Sequence, residues 1–173
     1  MKRAIETNLG EVYVASGDKQ IIADIEYNGG NAILTSKDHK TGTDRIYEAF
    51  KALKKPDIEL IINLQGDEPL INIEDVRNLH KQMIKTKSRL GTLASKIVDK
   101  NLYNKESVVK VETRENLEND NFSEALDFSR KFKETKNHIY HHLGIYCYQK
   151  DTLKEFVSCN QSLNEVKNKL EQL

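Results

Sequence analysis

The sequence predicts an α/β fold built on a mixed sheet, with βαβ units in the first half and an antiparallel extension in the second. Three observations carry this. Helical periodicity alternates with short β-rich runs as far as Met83. The run IELIINL is continuous and apolar at strand length, the pattern expected where helices cover both faces of a parallel sheet. From Leu90 onward, strand-like runs follow one another across polar loops, with no long helix between them.

Taken in order, EVYVAS contains the alternating Val12-Tyr13-Val14, and IIADIEYNGG follows with helical character closed by Gly29 and Gly30. AILTS reads as a second short strand. Ile46, Ala49, Phe50 and Leu53 then fall at i, i+3, i+4 and i+7, an amphipathic helix that ends at Lys54-Lys55-Pro56. After IELIINL, Asn72 is the expected N-cap of a helix with Ile73, Val76, Leu79 and Met83 on one side and Glu74 and Asp75 in its first turn. LGTLASKI, SVVKVET, EALDFSR and HLGIYCY read as strands, and RENLENDN and KFKETKNH as solvated loops. Near the end, Ser162 and Glu165 form a capping box. Val166, Leu170 and Leu173 make an apolar stripe on a helix expected to run off the end of the chain with no stop signal.

The 173 residues are within the range of one domain and long enough for a real core. Lys plus Arg and Asp plus Glu both number 27, so no basic excess points to nucleic acid, and an anionic partner would be met locally. The longest apolar run is far too short to span a bilayer, and Met-Lys-Arg-Ala-Ile-Glu offers no apolar signal region, so a soluble, cytoplasmic protein without membrane insertion is expected. Cys147 and Cys159 lack metal-binding or CxxC spacing and read as reduced thiols.

Three stretches could carry chemistry. IELIINL ends on Gln65-Gly66-Asp67-Glu68-Pro69, more than a plain turn requires, and ligands in open α/β sheets bind beyond the carboxyl ends of strands. Gly66 admits close approach to the backbone, Asp67 is a hard oxygen ligand suited to Mg²⁺, and Pro69 stiffens the exit. The competing reading is a strand-to-helix turn with both carboxylates solvated. In DHKTGTDR, Thr41, Gly42 and Thr43 offer hydroxyls and amides at a helix start, which can bind anions or polar base edges. Equally, Thr41 or Thr43 simply caps the helix and His39 is an exposed loop histidine. In HHLGIYCY, alternation places His142, Gly144, Tyr146 and Tyr148 on one face, either lining a pocket or forming a half-exposed sheet surface. Arg130 in DFSR has the fork geometry that suits a carboxylate.

In this order, TGTDR, INLQGDEP, FSR, HHLGIYCY and LEQL resemble the 3-deoxy-manno-octulosonate cytidylyltransferases. QGDEP and HxGxYxY are specific to that family; sialic-acid cytidylyltransferases share its fold but usually lack QGDEP. The resemblance covers essentially the whole chain. It implies a nucleotide-diphospho-sugar-transferase-like (Rossmann-like) fold, a homodimer, Mg²⁺ as cofactor, and CTP and 3-deoxy-manno-octulosonate (Kdo) as substrates. The products would be CMP-Kdo and diphosphate, for lipopolysaccharide biosynthesis. It further implies that Asp67 holds Mg²⁺, that Gln65 faces nucleotide and sugar, and that Thr41, Gly42 and Thr43 lie beside the cytosine. Arg130, His142, Tyr146, Glu171 and Gln172 match the lining of the family's sugar pocket.

The chain departs from the family at both ends. The family's first strand and its basic ARxxSxRxPxKP loop have no counterpart, Met1 falls where the first helix should be, and Leu173 precedes the family's second metal-binding aspartate. The expectation is one nucleotidyltransferase domain, 1–173, incomplete at both termini, with the first strand missing. The alternatives are an inactive remnant with a binding or dimerisation role, or a cytidylyltransferase for a related acid sugar.

Overall fold

The computed structural model describes residues 1–66, 70–118, 121–132, 138–168 and 170. Elements run in the order α1 (Lys2–Glu6), β1 (Tyr13–Ser16), α2 (Lys19–Tyr27), β2 (Asn31–Leu34), α3 (Gly42–Leu53), β3 (Leu60–Asn63) and α4 (Ile73–Thr86). They continue with β4 (Leu90–Ser95), α5 (Lys100–Tyr103), β5 (Lys110–Thr113), β6 (Ala125–Ser129), β7 (His138–Gln149), α6 (Lys150–Ser158) and α7 (Leu163–Asn168). They form two compact units, the first from the described residues of 1–91 and 146–159, the second from those of 92–145 and 160–170. No helix among the described residues is long and apolar enough to cross a membrane.

The first unit holds a βαβ motif. β1 and β2 pair in parallel, Tyr13 opposite Asn31 through Ser16 opposite Leu34, and α2 makes the crossover. Asp18 caps α2 by accepting from the Gln20 amide at 2.7 Å, and Gly29 takes the positive φ of 75° that closes it. Asn72 caps α4 by accepting from the Glu74 amide at 3.0 Å, and the periodic Val76, Leu79 and Met83 are all buried. Tyr146, Tyr148 and Leu153 form a buried cluster, with Ile46, Tyr47, Ile61 and Val157 packed against it.

β3 departs from the expectation drawn from its composition. Its strand partner is the last part of β7, antiparallel, with Leu60 opposite Gln149 and Asn63 opposite Tyr146. Leu60, Ile61 and Ile62 are half-buried. A continuous apolar run reports that protein lies on both faces; the direction of its neighbour is set by a strand far along the chain.

In the second unit β5 lies between β6 and the beginning of β7, antiparallel to both, as the second half of the sequence predicts. The β5–β6 register slips between Glu112 and Thr113. The capping box forms: Ser162 Oγ accepts from the Glu165 amide at 2.9 Å, and the Ser162 amide donates to Glu165 at 3.2 Å. The helix does not run on, however. α7 ends at Asn168, and the Leu170 amide donates to the Glu165 carbonyl at 3.3 Å. Leu170 is buried while Val166 stays exposed, so the expected stripe is not one helical face: Leu170 reaches the core by leaving the helix. Leu173 lies outside the described residues.

Candidate active site

In the first unit, the start of α3 is built by its own side chains. Thr41 is the N-cap, its hydroxyl accepting from the Asp44 amide at 3.1 Å. Gly42 is exposed, and a Cβ added there would meet nothing within 4 Å. Thr43 is 1% exposed, with its hydroxyl 3.4 Å from that of Tyr148. The loop before the helix is held by α3 itself. Arg45 donates to the Thr35 hydroxyl at 2.6 Å and to the Ser36 carbonyl at 2.8 Å. Glu48 accepts from the Ser36 amide and pairs with His39. These contacts, the amide first, hold the Glu48 carboxyl below its usual range. His39 is therefore a half-buried partner of Glu48 rather than the exposed loop histidine expected. A shallow depression of about 320 Å³ adjoins it, lined by His39, Asp44, Tyr47, Glu48, Lys51, Val157 and Ser158.

At the carboxyl end of β3, Gln65 and Gly66 are exposed, and Gly66 too has open space where a Cβ would stand. Asn63, just before them, is 4% exposed, and its Nδ2 has no hydrogen-bond partner among the described residues. Asp67, with Glu68 and Pro69, lies outside the described residues, as do Glu171 and Gln172. Tyr146 is buried with its ring centroid 5.9 Å from that of Tyr148, so it belongs to the unit's core as well as to the predicted polar face.

In the second unit His142 is 6% exposed. Its Nε2 lies 2.9 Å from the Thr92 hydroxyl, and Phe128 meets the ring edge-on at 5.0 Å between centroids. Burial first, and then neighbouring His141, push its pKa down to about 4, so the ring is neutral at physiological pH. Arg130 donates to the Glu106 carbonyl at 3.0 Å and to the Asn168 carbonyl at 3.2 Å. Its own carbonyl accepts from Lys110 Nζ at 2.5 Å, and Lys110, fully buried, also donates to the Lys105 carbonyl at 2.8 Å. Burial, then the charge of Arg130, lower the Lys110 pKa.

Among the described residues no group of three or more His, Cys, Asp or Glu could hold a metal. Mg²⁺ asks less of a protein: one or two carboxylates beside substrate phosphates and water suffice. The strand end fits that demand, since Gln65 and Gly66 leave the approach open and Asp67 follows them in sequence. The unpartnered Asn63 amide is a donor, of the polarity that suits a carboxylate or phosphate oxygen.

The sequence reading does not single out Asn63, Thr92 or Lys110. Asn63 interrupts an apolar run and Lys110 sits among valines in SVVKVET, and each was a usable signal. Thr92 carried none. Both cysteines are free; burial pushes the Cys147 thiol up to about 12, which leaves it inert, and Cys159 is exposed.

A two-stranded parallel βαβ motif, a separate antiparallel sheet and an open Gln-Gly strand end define a nucleotidyltransferase-like α/β protein. A fold likeness at a TM-score of 0.55 and 16% identity links it to 4-diphosphocytidyl-2C-methyl-D-erythritol synthase from Anaerococcus prevotii, over 96% of this chain and 69% of that one. Much nearer is the structure of CMP:2-keto-3-deoxy-manno-octonic acid synthetase complexed with CTP. The TM-score there is 0.83 and the identity 31%, over 99% of this chain and 71% of that one. The 3-deoxy-manno-octulosonate cytidylyltransferase of Afipia carboxidovorans is 37% identical, over all of this chain and 70% of its own length. That of Thermodesulfovibrio yellowstonii is 38% identical, over 95% and 69%. The profile of the cytidylyltransferase family matches residues 1–173, and the chain belongs to that family, among the 3-deoxy-manno-octulosonate cytidylyltransferases.

Proposed function

We propose that this chain transfers the cytidylyl group of CTP to Kdo with release of diphosphate, a step of lipopolysaccharide biosynthesis. One observation carries the reading: its likeness, along nearly its whole length, to a synthetase whose structure holds CTP. The anomeric hydroxyl of the sugar attacks the α-phosphorus in line and diphosphate leaves, with no covalent enzyme intermediate. Such transfers depend on positioning and charge neutralisation. Gln65 faces both substrates at the open strand end, and Gly66 leaves room for phosphate beside the backbone. Thr41 and Gly42, at the exposed start of α3, border the cytosine; Thr43 supports them from the core. By resemblance to the family, Arg130, His142, Tyr146, Glu171 and Gln172 are assigned to sugar binding. Asp67 would hold Mg²⁺, which when bound neutralises phosphate charge and acidifies the attacking hydroxyl. Mg²⁺ and a homodimer rest on the resemblance of sequence, and a cytoplasmic location on the short apolar runs and isolated cysteines of the sequence.

The test is diphosphate release with CTP, Kdo and Mg²⁺. Asp67→Asn should lower the rate by on the order of 10²–10³ or more, because it removes a preorganised charge contact while sparing core volume. A variant within a few-fold of the parent would rule Asp67 out as the metal carboxylate.

A further inference from the structure

The bend that leads from β2 into α3 is closed from both sides. Both backbone polar groups of Ser36 are engaged: its amide donates to the Glu48 carboxylate at 3.0 Å, and its carbonyl accepts from Arg45 Nη1 at 2.8 Å. Its hydroxyl in turn accepts from the Asp38 amide at 3.2 Å. The same Glu48 carboxylate pairs with Nε2 of His39, further along the bend. On another side lies the turn between β1 and α2, so close that a Cβ added to Gly17 would stand 3.0 Å from Lys37 Cα and 3.1 Å from the Ser36 carbonyl oxygen.

One carboxylate thus spans the bend from Ser36 to His39. Burial does not demand this, because the Glu48 side chain is 41% exposed and would be hydrated without either partner. A pair so exposed adds little to global stability. Its effect is geometric: Glu48 reaches back from the second turn of α3, a helix anchored in the core by Thr43 and Ala49, and ties the bend to that helix.

We propose that Glu48 is a positioning residue for the nucleotide: by clasping Ser36 and His39 it fixes the bend that sets Thr41 and Gly42 beside the cytosine. The nucleotide half rests on the proposed placement of Thr41 and Gly42; the clasp rests on geometry alone. A bend formed in advance loses less conformational entropy when CTP arrives, and the affinity rises accordingly. The clasp requires hydrogen-bonding atoms at the right place and not a charge. In Glu48→Gln the amide oxygen still accepts from Ser36, and the amide NH₂ can donate to His39 Nε2 once the ring hydrogen sits on Nδ1. Glu48→Ala removes both contacts.

The experiment is calorimetric titration of the chain with CTP and Mg²⁺ and, separately, with Kdo, alongside hydrogen exchange at the Ser36 amide followed by NMR. Glu48→Ala should speed that exchange and weaken CTP binding about three- to tenfold, the loss typical of one hydrogen bond, with Kdo binding and the melting temperature unchanged. Glu48→Gln should restore both slow exchange and CTP affinity. Unaltered exchange in Glu48→Ala overturns the clasp. A Glu48→Gln chain as weak as Glu48→Ala overturns it in favour of charge. Faster exchange with unchanged CTP binding overturns the positioning role, and so does equal weakening of CTP and Kdo with a lowered melting temperature, the mark of a purely structural residue. A parent that binds no CTP overturns the placement of Thr41 and Gly42 and the positioning role with it, while exchange at Ser36 still decides the clasp.

Discussion

His142 shows what burial does to one titratable side chain. Its folded pKa of about 4 lies below the ordinary 6.5, so between those values the unfolded chain binds a proton that the folded chain refuses. Stability is unaffected above pH 6.5, falls as pH drops through the window, and has lost its full share below pH 4. A shift of that size corresponds to on the order of 3 kcal/mol. We predict that His142→Gln flattens the loss of thermal stability between pH 6.5 and pH 4 relative to the parent; parallel melting curves would show that the ring stays accessible to protons. Residues of this kind were only half legible in sequence. His142 stood out through its place in HxGxYxY, whereas the hydroxyl hydrogen-bonded to it belongs to an ordinary threonine in LGTLAS, and only the fold brings it to the ring.

Two helices, α3 and α4, end in the same unusual way. Lys54 (φ 51°) and Lys87 (φ 54°) take the left-handed conformation at their C-caps, where glycine would avoid a Cβ penalty. Each gains from its positive charge near the helix carboxyl end, which offsets part of that cost. Lys87→Gly should therefore raise stability by up to about 1 kcal/mol, measured by denaturant unfolding. Inside α4, Leu79→Ala removes a side chain that is 2% exposed and should cost about 2–5 kcal/mol; a loss below about 1 kcal/mol would mean that the helix does not carry core. Elements of this length were readable because cap, first-turn acids and apolar period agree, as in α4 from Asn72 to Thr86. The direction in which β3 pairs and the early end of α7 were not, because strand partners and helix ends are settled by residues distant in sequence.

For the chain as a whole, equal numbers of acidic and basic residues leave a formal net charge of zero at pH 7. Without net repulsion between molecules, solubility should pass through a minimum near pH 7 and rise by pH 8.5, read as a more positive second virial coefficient in light scattering. The same balance hid the site from composition. No charge excess marks an anion-binding protein, and QGDEP and its companions were recognised by order and spacing, not by charge. The alternation of strands and helices gave the mixed α/β character and the antiparallel second half; Asp67, Glu171 and Gln172, part of the proposed site, lie outside the described residues.

The buried ammonium of Lys110 makes a natural clock. Amine reagents reach a lysine only when solvent does, and this one sits with no exposed surface between the Lys105 and Arg130 carbonyls. Lys131, whose side chain is 70% exposed, should be acylated at once, whereas Lys110 should react only as fast as its surroundings open. Timed acylation followed by peptide mass spectrometry would then record how often the second unit breathes. Equal rates at the two lysines would mean that the clasp is open most of the time.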